Sequence, residues 1–222
     1  ETVHTTGDLD VSGKGTIQVT TGGIINNDTP TPNTHITLLE QDDGNSLIQL
    51  VSSDADTIGS AGNLILTDQN GKVISDAVES SISQNGEVVA EGTYDYRLTS
   101  GENNDGLYIS YGLTQVELLA SGDNALALGA NGNSGNAADL SARVTGNGDL
   151  AIDSQKGQTV SLSNTDNDYT GATDVRGGNL LMQNDNVLGQ TSELRLAAET
   201  GFDMNGHSQT IDQLSAAADS LL

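Results

Sequence analysis

No cysteine occurs in the 222 residues, so neither a disulfide nor a thiolate metal site can hold this chain together. The compartment stays open, because secreted chains also do without cysteine. There is no tryptophan and a single phenylalanine, and aromatic residues make up only 3%. A compact globular core usually draws on such large rings; a narrow core of Leu, Ile, Val and Ala suits this composition better. Basic residues are scarce as well, 7 against 31 acidic ones, for a formal net charge of -24. Nucleic acid and anionic lipid headgroups need Lys and Arg to release counterions or bind phosphate, so this charge excludes both as partners. No apolar run approaches the length of a membrane-spanning helix. Glu1 opens the chain without a basic or apolar leader, and Ala216-Ala-Ala-Asp-Ser-Leu-Leu222 carries no terminal signal. The chain therefore reads as a piece of a longer protein.

What is present is a short phrase that recurs: a turn residue, then apolar-x-apolar. It appears as Gly7-Asp-Leu-Asp-Val11, Gly15-Thr-Ile-Gln-Val19, Gly62-Asn-Leu-Ile-Leu66, Gly148-Asp-Leu-Ala-Ile152, Gly157-Gln-Thr-Val-Ser-Leu162, Gly178-Asn-Leu-Leu-Met182 and Ser192-Glu-Leu-Arg-Leu196. Each predicts a strand of three to five residues started by a residue that permits a sharp corner. Such units are too small to bury their own apolar faces, and they make sense as layers of a stack in which each coil covers the next. Coils of roughly 20 to 25 residues would give about nine or ten of them, a stack on the order of 45 Å long. High charge with abundant Gly, Asn, Asp and Ser also fits disorder, but the apolar residues alternate in short runs as half-buried strands require. A β-sandwich is compatible with the same periodicity. Helical signal is weak throughout; only Ile211-Asp-Gln-Leu-Ser-Ala-Ala-Ala-Asp-Ser-Leu221 fits an amphipathic turn or two.

Three segments differ in texture. Residues 1–33 are layer-like and end in Asp28-Thr-Pro-Thr-Pro-Asn33, which holds both prolines; proline removes a ladder donor, so this is a loop or boundary. Residues 34–119 read as longer strands: His35–Leu39, Ser46–Val51, Asn63–Leu66, Val88–Ala90, Tyr94–Leu98, Leu107–Tyr111 and Gln115–Leu119, with Gly101-Glu-Asn-Asn-Asp-Gly106 as a hairpin loop. Residues 120–222 return to short layers.

Chemistry is sparse. No Gly-x-Ser-x-Gly elbow occurs. Gly44-Asn45-Ser46-Leu47 faintly resembles the Gly-Asp-Ser-Leu of one esterase family, but Asp203-Met-Asn-Gly-His207 is one residue too long for that family's Asp-x-x-His. His4, His35 and His207 show no zinc spacing. A polysaccharide-cleaving enzyme would cluster carboxylates with a cation on one face, and Lys72, Arg97, Arg143 and Lys156 cannot be placed there from sequence. Asn164-Thr-Asp166-Asn-Asp168 alternates oxygen donors and Asp42-Asp43-Gly-Asn45 is an acidic turn, yet neither has the Gly and Glu of an EF-hand loop. The expectation is a non-enzyme without cofactor or metal, whose acidic turns are solvated corners.

One stretch carries a resemblance. Asn167, Tyr169, Thr170, Gly171 and Thr173, then Gly177, Gly178 and Leu180, then Asn186, Leu188 and Gly189 are similar to the strand repeat of bacterial autotransporter passenger domains. That repeat reads Asn-x-Tyr-Thr-Gly-x-Thr, Gly-Gly-x-Leu, Asn-x-x-Leu-Gly, and the match covers residues 164–215. Tyr94, Tyr96, Leu98 and Tyr108 resemble the segment that caps many such domains and helps them fold during export. The family often has Trp where Leu107 sits, and its capping segment usually comes last, whereas here further layers follow; an inserted hairpin is the other reading. The resemblance implies an all-β, right-handed parallel β-helix, a solenoid with an inserted or capping hairpin region. It also implies type V secretion and display at the bacterial cell surface through the protein's own C-terminal outer-membrane barrel. The leading function is an adhesin acting in cell adhesion, autoaggregation, biofilm formation or virulence. Its partners would be host-cell or extracellular-matrix molecules, or the same wall on another cell, met by outward ladders of Asn, Asp, Ser and Thr. The alternatives are a structural stem that aids export of a separate head, and a fragment of a secreted hydrolase.

Overall fold

The structure, a computed structural model, describes residues 2–19, 24, 25, 46–74, 77–130 and 139–222, and at Ile24, Ile25, Ser46, Leu47 and Tyr111 the backbone alone. The predicted strand His35–Leu39, the two prolines, the 33/34 boundary and the acidic turn Asp42–Asn45 lie outside these residues. Among the described residues the chain is all-β with mostly parallel sheets, interrupted by two short 3-10 turns, Ala61–Asn63 and Gly122–Asn124.

The N-terminal strands form two bands. β1 (Val3–Thr5), β2 (Leu9–Asp10), β3 (Thr16–Gln18) and β4 (Ile24–Ile25) lie parallel to β5 (Ser46–Ser53), β6 (Thr57–Ile58), β7 (Ile65–Thr67) and β8 (Val78–Gln84). Val3 faces Val51 and Ile24 faces Ile82, an offset of 48 to 58 residues. Two 13-residue strands follow, β9 (Glu87–Thr99) and β10 (Gly106–Leu118), joined by the turn at Gly101–Asp105. β9 pairs antiparallel with both β8 and β10. β10 then shares one edge between two neighbours: residues 106–111 run antiparallel to β5, and residues 115–118 run parallel to β13 (Arg143–Gly146).

From there two parallel sheets alternate along the chain. One is β11 (Leu126–Leu128), β14 (Leu150–Asp153), β16 (Thr173–Gly177), β18 (Leu194–Leu196) and β20 (Leu214–Ala216). The other is β12 (Asp139–Leu140), β15 (Thr159–Leu162), β17 (Asn179–Met182) and β19 (Gly201–Asp203). Facing residues are 20 to 24 apart, as in Leu126–Leu150–Thr173–Leu194–Leu214. A third face continues from β10 and β13: Asp168 N–H donates to the Val144 carbonyl (3.0 Å), Thr170 to Gly146 (3.1 Å), Gln190 to Tyr169 (3.0 Å) and Asn186 to Ser208 (2.9 Å).

Period-two alternation sends one set of side chains inward on each face. Leu128, Ile152, Val175 and Leu196 form one buried row, Val160, Leu180 and Phe202 a second, and Leu162 and Met182 a third. These rows join one core that runs without a break from Ile82 and Tyr94 to Phe202. The corner between β16 and β17 is made at Gly178, whose φ of 73° a side-chain-bearing residue rarely adopts. At the first layer the open edge of β11 is closed by a side chain: the Gln84 amide donates to the Ala127 carbonyl (3.1 Å) and accepts from its N–H (3.0 Å).

Several expectations need correction. Val88–Ala90 and Tyr94–Leu98 are parts of one strand, β9, and Leu107–Tyr111 and Gln115–Leu119 fall on one strand, β10, which ends at Leu118. A register shift between Leu113 and Gln115 marks where β10 changes partner. Val78–Gln84 was not anticipated as a strand, because Val-Glu-Ser-Ser-Ile-Ser-Gln offers too few apolar residues to show an alternation. The spacing of 20 to 25 residues holds only from Leu126 onward, and the longest all-parallel stack among the described residues is five strands, not nine or ten coils. The long hairpin is the reason: it takes up chain that short layers would otherwise use. The 119/120 boundary falls just after residues 115–118, which already belong to the stack.

Candidate interaction surface

Five side chains of the sequence motif point inward. Asn167 and Tyr169 are buried, as are Thr173, Leu180 and Leu188. The Asn167 carboxamide oxygen accepts from Val144 N–H (2.7 Å), and its NH2 donates to the Val187 carbonyl (2.8 Å). One side chain thus links the layer before it to the layer after it. Thr173 stands in an otherwise leucine row, and a hydroxyl there needs partners. It has two, the Tyr169 hydroxyl at 2.6 Å and the Thr191 hydroxyl at 2.9 Å, and Thr191 also donates to the Gly171 carbonyl (2.7 Å). Burial pushes the Tyr169 phenol well above its ordinary range, the two threonine hydroxyls opposing that only in part. Thr170 is exposed at the corner, Gly177 ends β16, and Asn186 and Gly189 hold positive φ of 58° and 56° where the chain turns. Thr191, which completes the hydroxyl chain, was missed by sequence reasoning; a lone threonine before a charged strand carries no signal.

Removing one hydroxyl tests this chain of contacts. Tyr169→Phe leaves the ring volume and the Thr173–Thr191 bond in place, so the loss is expected to be about 1–2 kcal/mol. A thermal unfolding midpoint lowered by roughly 2–8 °C is the corresponding readout.

Tyr94, Tyr96, Leu98 and Tyr108 do not form one cluster. Tyr94, buried, and Tyr96 lie two residues apart on β9 with ring centroids at 6.3 Å, and Leu98 continues that side, opposite Ile109. Tyr108 is opposite Thr99, one step out of phase, and so lies on the other face. Its hydroxyl donates to Asp105 (2.8 Å) and accepts from Gln49 (3.0 Å), and the Asp105 carboxylate raises its pKa.

The outward rows are short and mixed rather than uniform ladders. One runs Ala127, Ala151, Asp174, Arg195, Ser215; another Asp139, Ser161, Leu181, Asp203; a third Thr159, Asn179, Gly201. The first two alanines of the first row are buried with Ala125. Arginines on the wall are held by it. Arg176 bonds Asp174 (2.9 Å) and the Gly122 carbonyl (2.6 Å); Arg195 bonds Glu193 (2.9 Å); Arg143 spans three layers through Gln115 (3.0 Å), Asp168 (2.6 Å) and the Asp166 carbonyl (3.0 Å). The excess carboxylates therefore dominate what the wall shows to solvent. Glu193 is held below the usual carboxylate range by the Ser215 hydroxyl first and Arg195 second, and Asp185 by Ser208 N–H first, then His207. A depressed folded pKa means these links are complete at neutral pH and lost only as pH falls through the folded values.

No group of three or more metal-ligating side chains converges among the described residues. Asn164 turns onto the Asp166 N–H and the Ser141 carbonyl while Asp168 goes to Arg143, so their oxygens do not meet. Ser46 lies on β5, and His207, in the turn after β19, pairs with Asp185 at 3.3 Å. Open grooves occur among the described residues. One of about 490 Å³ is lined by residues including Asp68, Lys72 and Glu79; another, of about 340 Å³, includes Asn179, Asp203 and Leu221.

The chain is 56% identical over 221 residues to uncharacterized protein YuaQ of Escherichia coli (strain K12), a match spanning 99% of this chain and 16% of that protein. It is 43% identical over 182 residues to uncharacterized lipoprotein YdeK of the same organism, spanning 82% of this chain and 13% of the relative. The chain thus covers less than a fifth of either relative's length. No family model and no solved structure matches it.

Proposed function

We propose that these residues are a segment of an autotransporter passenger domain, a right-handed parallel β-helix at the bacterial cell surface that mediates adhesion, autoaggregation or biofilm formation. The observation that carries this reading is the stack itself. Three runs per 20- to 24-residue period lie parallel and in register, with the inward motif residues welding layer to layer. Such a stack gives a long side wall, which suits recognition over an area. The word lipoprotein in the name of one relative supports a cell-envelope setting. The partners are host-cell or extracellular-matrix molecules, or the wall of another copy; the membrane anchor is a C-terminal barrel in the longer protein. The hairpin β8–β9 and Gln84, which cover the first layer, act as the cap.

A second reading, a stem that supports export of a separate head, is favoured by the way Arg143, Arg176 and Arg195 are neutralised within the wall. One experiment separates the two. Bacteria display the full-length protein with and without residues 1–222, or with Asp203→Ala and Arg195→Ala on the exposed wall, or with Leu180→Asp in the core. Surface exposure and cell attachment are read on the same cultures. An adhesive wall loses attachment in the Asp203 and Arg195 variants while exposure is unchanged. A stem is indifferent to them, and its exposure collapses with Leu180→Asp or the deletion.

A further inference from the structure

We propose that ionic strength switches the stability of this chain: in dilute salt the repulsion among its own carboxylates loosens the folded stack, and screening by salt tightens it. The inference does not rest on the adhesive reading. Its ground is a charge imbalance that no other part of the chain can repair. The 31 acidic residues meet only 7 lysines and arginines, and all seven of these are among the described residues. Five of the seven are already engaged: Arg97 with Asp95, Arg143 with Asp168, Lys156 with Glu199, Arg176 with Asp174 and Arg195 with Glu193. The remaining sequence adds carboxylates but no lysine or arginine.

Folding brings these like charges together. Neighbouring strands lie about 4.8 Å apart, whereas residues 20 to 24 apart in an unfolded chain are separated by roughly 25 Å. The sharpest case is in the long hairpin. Glu91 of β9 stands directly opposite Glu117 of β10, in a row that continues to Ser81 on one side and Thr145 on the other. None of these neighbours is cationic, and like charges directly opposed across two strands are destabilising. Arg143, two residues before Thr145, is bonded to Gln115, Asp168 and the Asp166 carbonyl. The stack repeats the imbalance. Arg195 bonds Glu193, and its pKa is raised by Glu193 first, with Asp174 and Asp149 adding, so one guanidinium serves three carboxylates. Glu199 N–H donates to the Asp219 carbonyl (3.2 Å), which sets two acidic residues in adjacent layers. The screening length falls from about 30 Å at 0.01 M salt to about 10 Å at 0.1 M and about 3 Å at 1 M. Repulsion between layers and across the β9–β10 pair is therefore felt in full in dilute salt and largely removed in concentrated salt. The unfolded chain, with its charges already apart, gains less.

Urea denaturation of the full 222-residue chain in about 0.01 M and about 0.5 M sodium chloride tests this. The midpoint is expected to rise by about 0.5 M urea or more between the two. Glu117→Gln separates screening from salting-out, because it removes one half of the facing pair at an exposed position. It should raise the midpoint by roughly 0.2 M urea in dilute salt and leave it unchanged in concentrated salt. Salting-out acts through burial of surface, so it would lift both proteins alike and keep their difference fixed. A midpoint that is flat or falls with salt, or a Glu117→Gln effect that is the same at both concentrations, would overturn the proposal.

Discussion

Gly171→Ala is expected to destabilise the stack by about 3–5 kcal/mol, the range reserved for changes that the surroundings cannot absorb. Gly171 does not have a positive φ, so the reason is space rather than backbone conformation. A Cβ there would sit on the carbonyl oxygen of Gly148 in the preceding layer, 2.5 Å from its carbon and 2.7 Å from an Asp149 carboxylate oxygen. The same corner repeats one layer up, where a Cβ on Gly148 would lie 2.6 Å from the Ala120 carbonyl oxygen. Neither backbone is free to retreat. Thr170 N–H is tied to Gly146, Ser192 N–H to Gly171 itself, and Ala172 N–H to the Asp149 carboxylate (2.8 Å). Widening the corner by even a methyl radius would break contacts in two layers at once. The control is Gly157→Asn. Gly157 has φ of 86° and open space where a Cβ would be, and asparagine tolerates that conformation. Its cost should stay within about 1 kcal/mol. Urea denaturation midpoints of the two variants give the comparison; near-equal values would show that the corner can relax.

The contrast between those two glycines marks how far the sequence could be read. Gly157 begins one of the recurring phrases of turn residue and short strand and was legible as a corner, whereas Gly171 was picked out only through the family motif. Which corner is packed against another backbone depends on a neighbour about 20 residues away, and no local pattern carries that. The short strands from Leu150 to Leu196 were readable because each apolar pair lies in one face of an alternating run. β9 was not readable as one strand because Gly92 divides its apolar residues. In the sheet that glycine makes room for a ring, since a Cβ would meet Tyr94 at 2.8 Å and Ile82 and Leu113 at 3.1 Å. Gly112 interrupts β10 in the same manner, between Tyr111 and Leu113. The offset of 48 to 58 residues between the N-terminal bands follows from chain inserted between paired strands, which periodicity cannot reveal. Asn167 was picked out through the family resemblance alone. By composition an asparagine beside Asp166 and Asp168 reads as a solvated turn residue, and only the two carbonyl and amide groups that face it decide otherwise.

Asn167 therefore supplies the second large effect. Asn167→Leu fits the buried site by size but leaves Val144 N–H and the Val187 carbonyl without the partner each now has. An orphaned buried backbone group costs about 1–3 kcal/mol, so the pair predicts a loss of roughly 2–5 kcal/mol. Asn167→Asp is the more informative change. It keeps an acceptor for Val144 but sets a carboxylate oxygen against the Val187 carbonyl, in a position only 6% exposed. Burial and that carbonyl both disfavour the charged form, so the folded pKa rises above the unfolded value of about 3.9. Between the two values the folded state binds more protons than the unfolded one. Stability of this variant then falls as pH rises through that window and returns in acid, where the protonated oxygen can donate to Val187 as the amide did. Asn167→Leu has no group to titrate, and its deficit relative to the unaltered chain should not move with pH. Unfolding midpoints of both variants between pH 4 and pH 8 read the difference, relative to the unaltered chain at each pH because Glu193 and Asp185 also titrate in acid. If the two variants track each other across the range, water reaches the site. The layers would then be held together by their apolar rows alone, without the asparagine bridge.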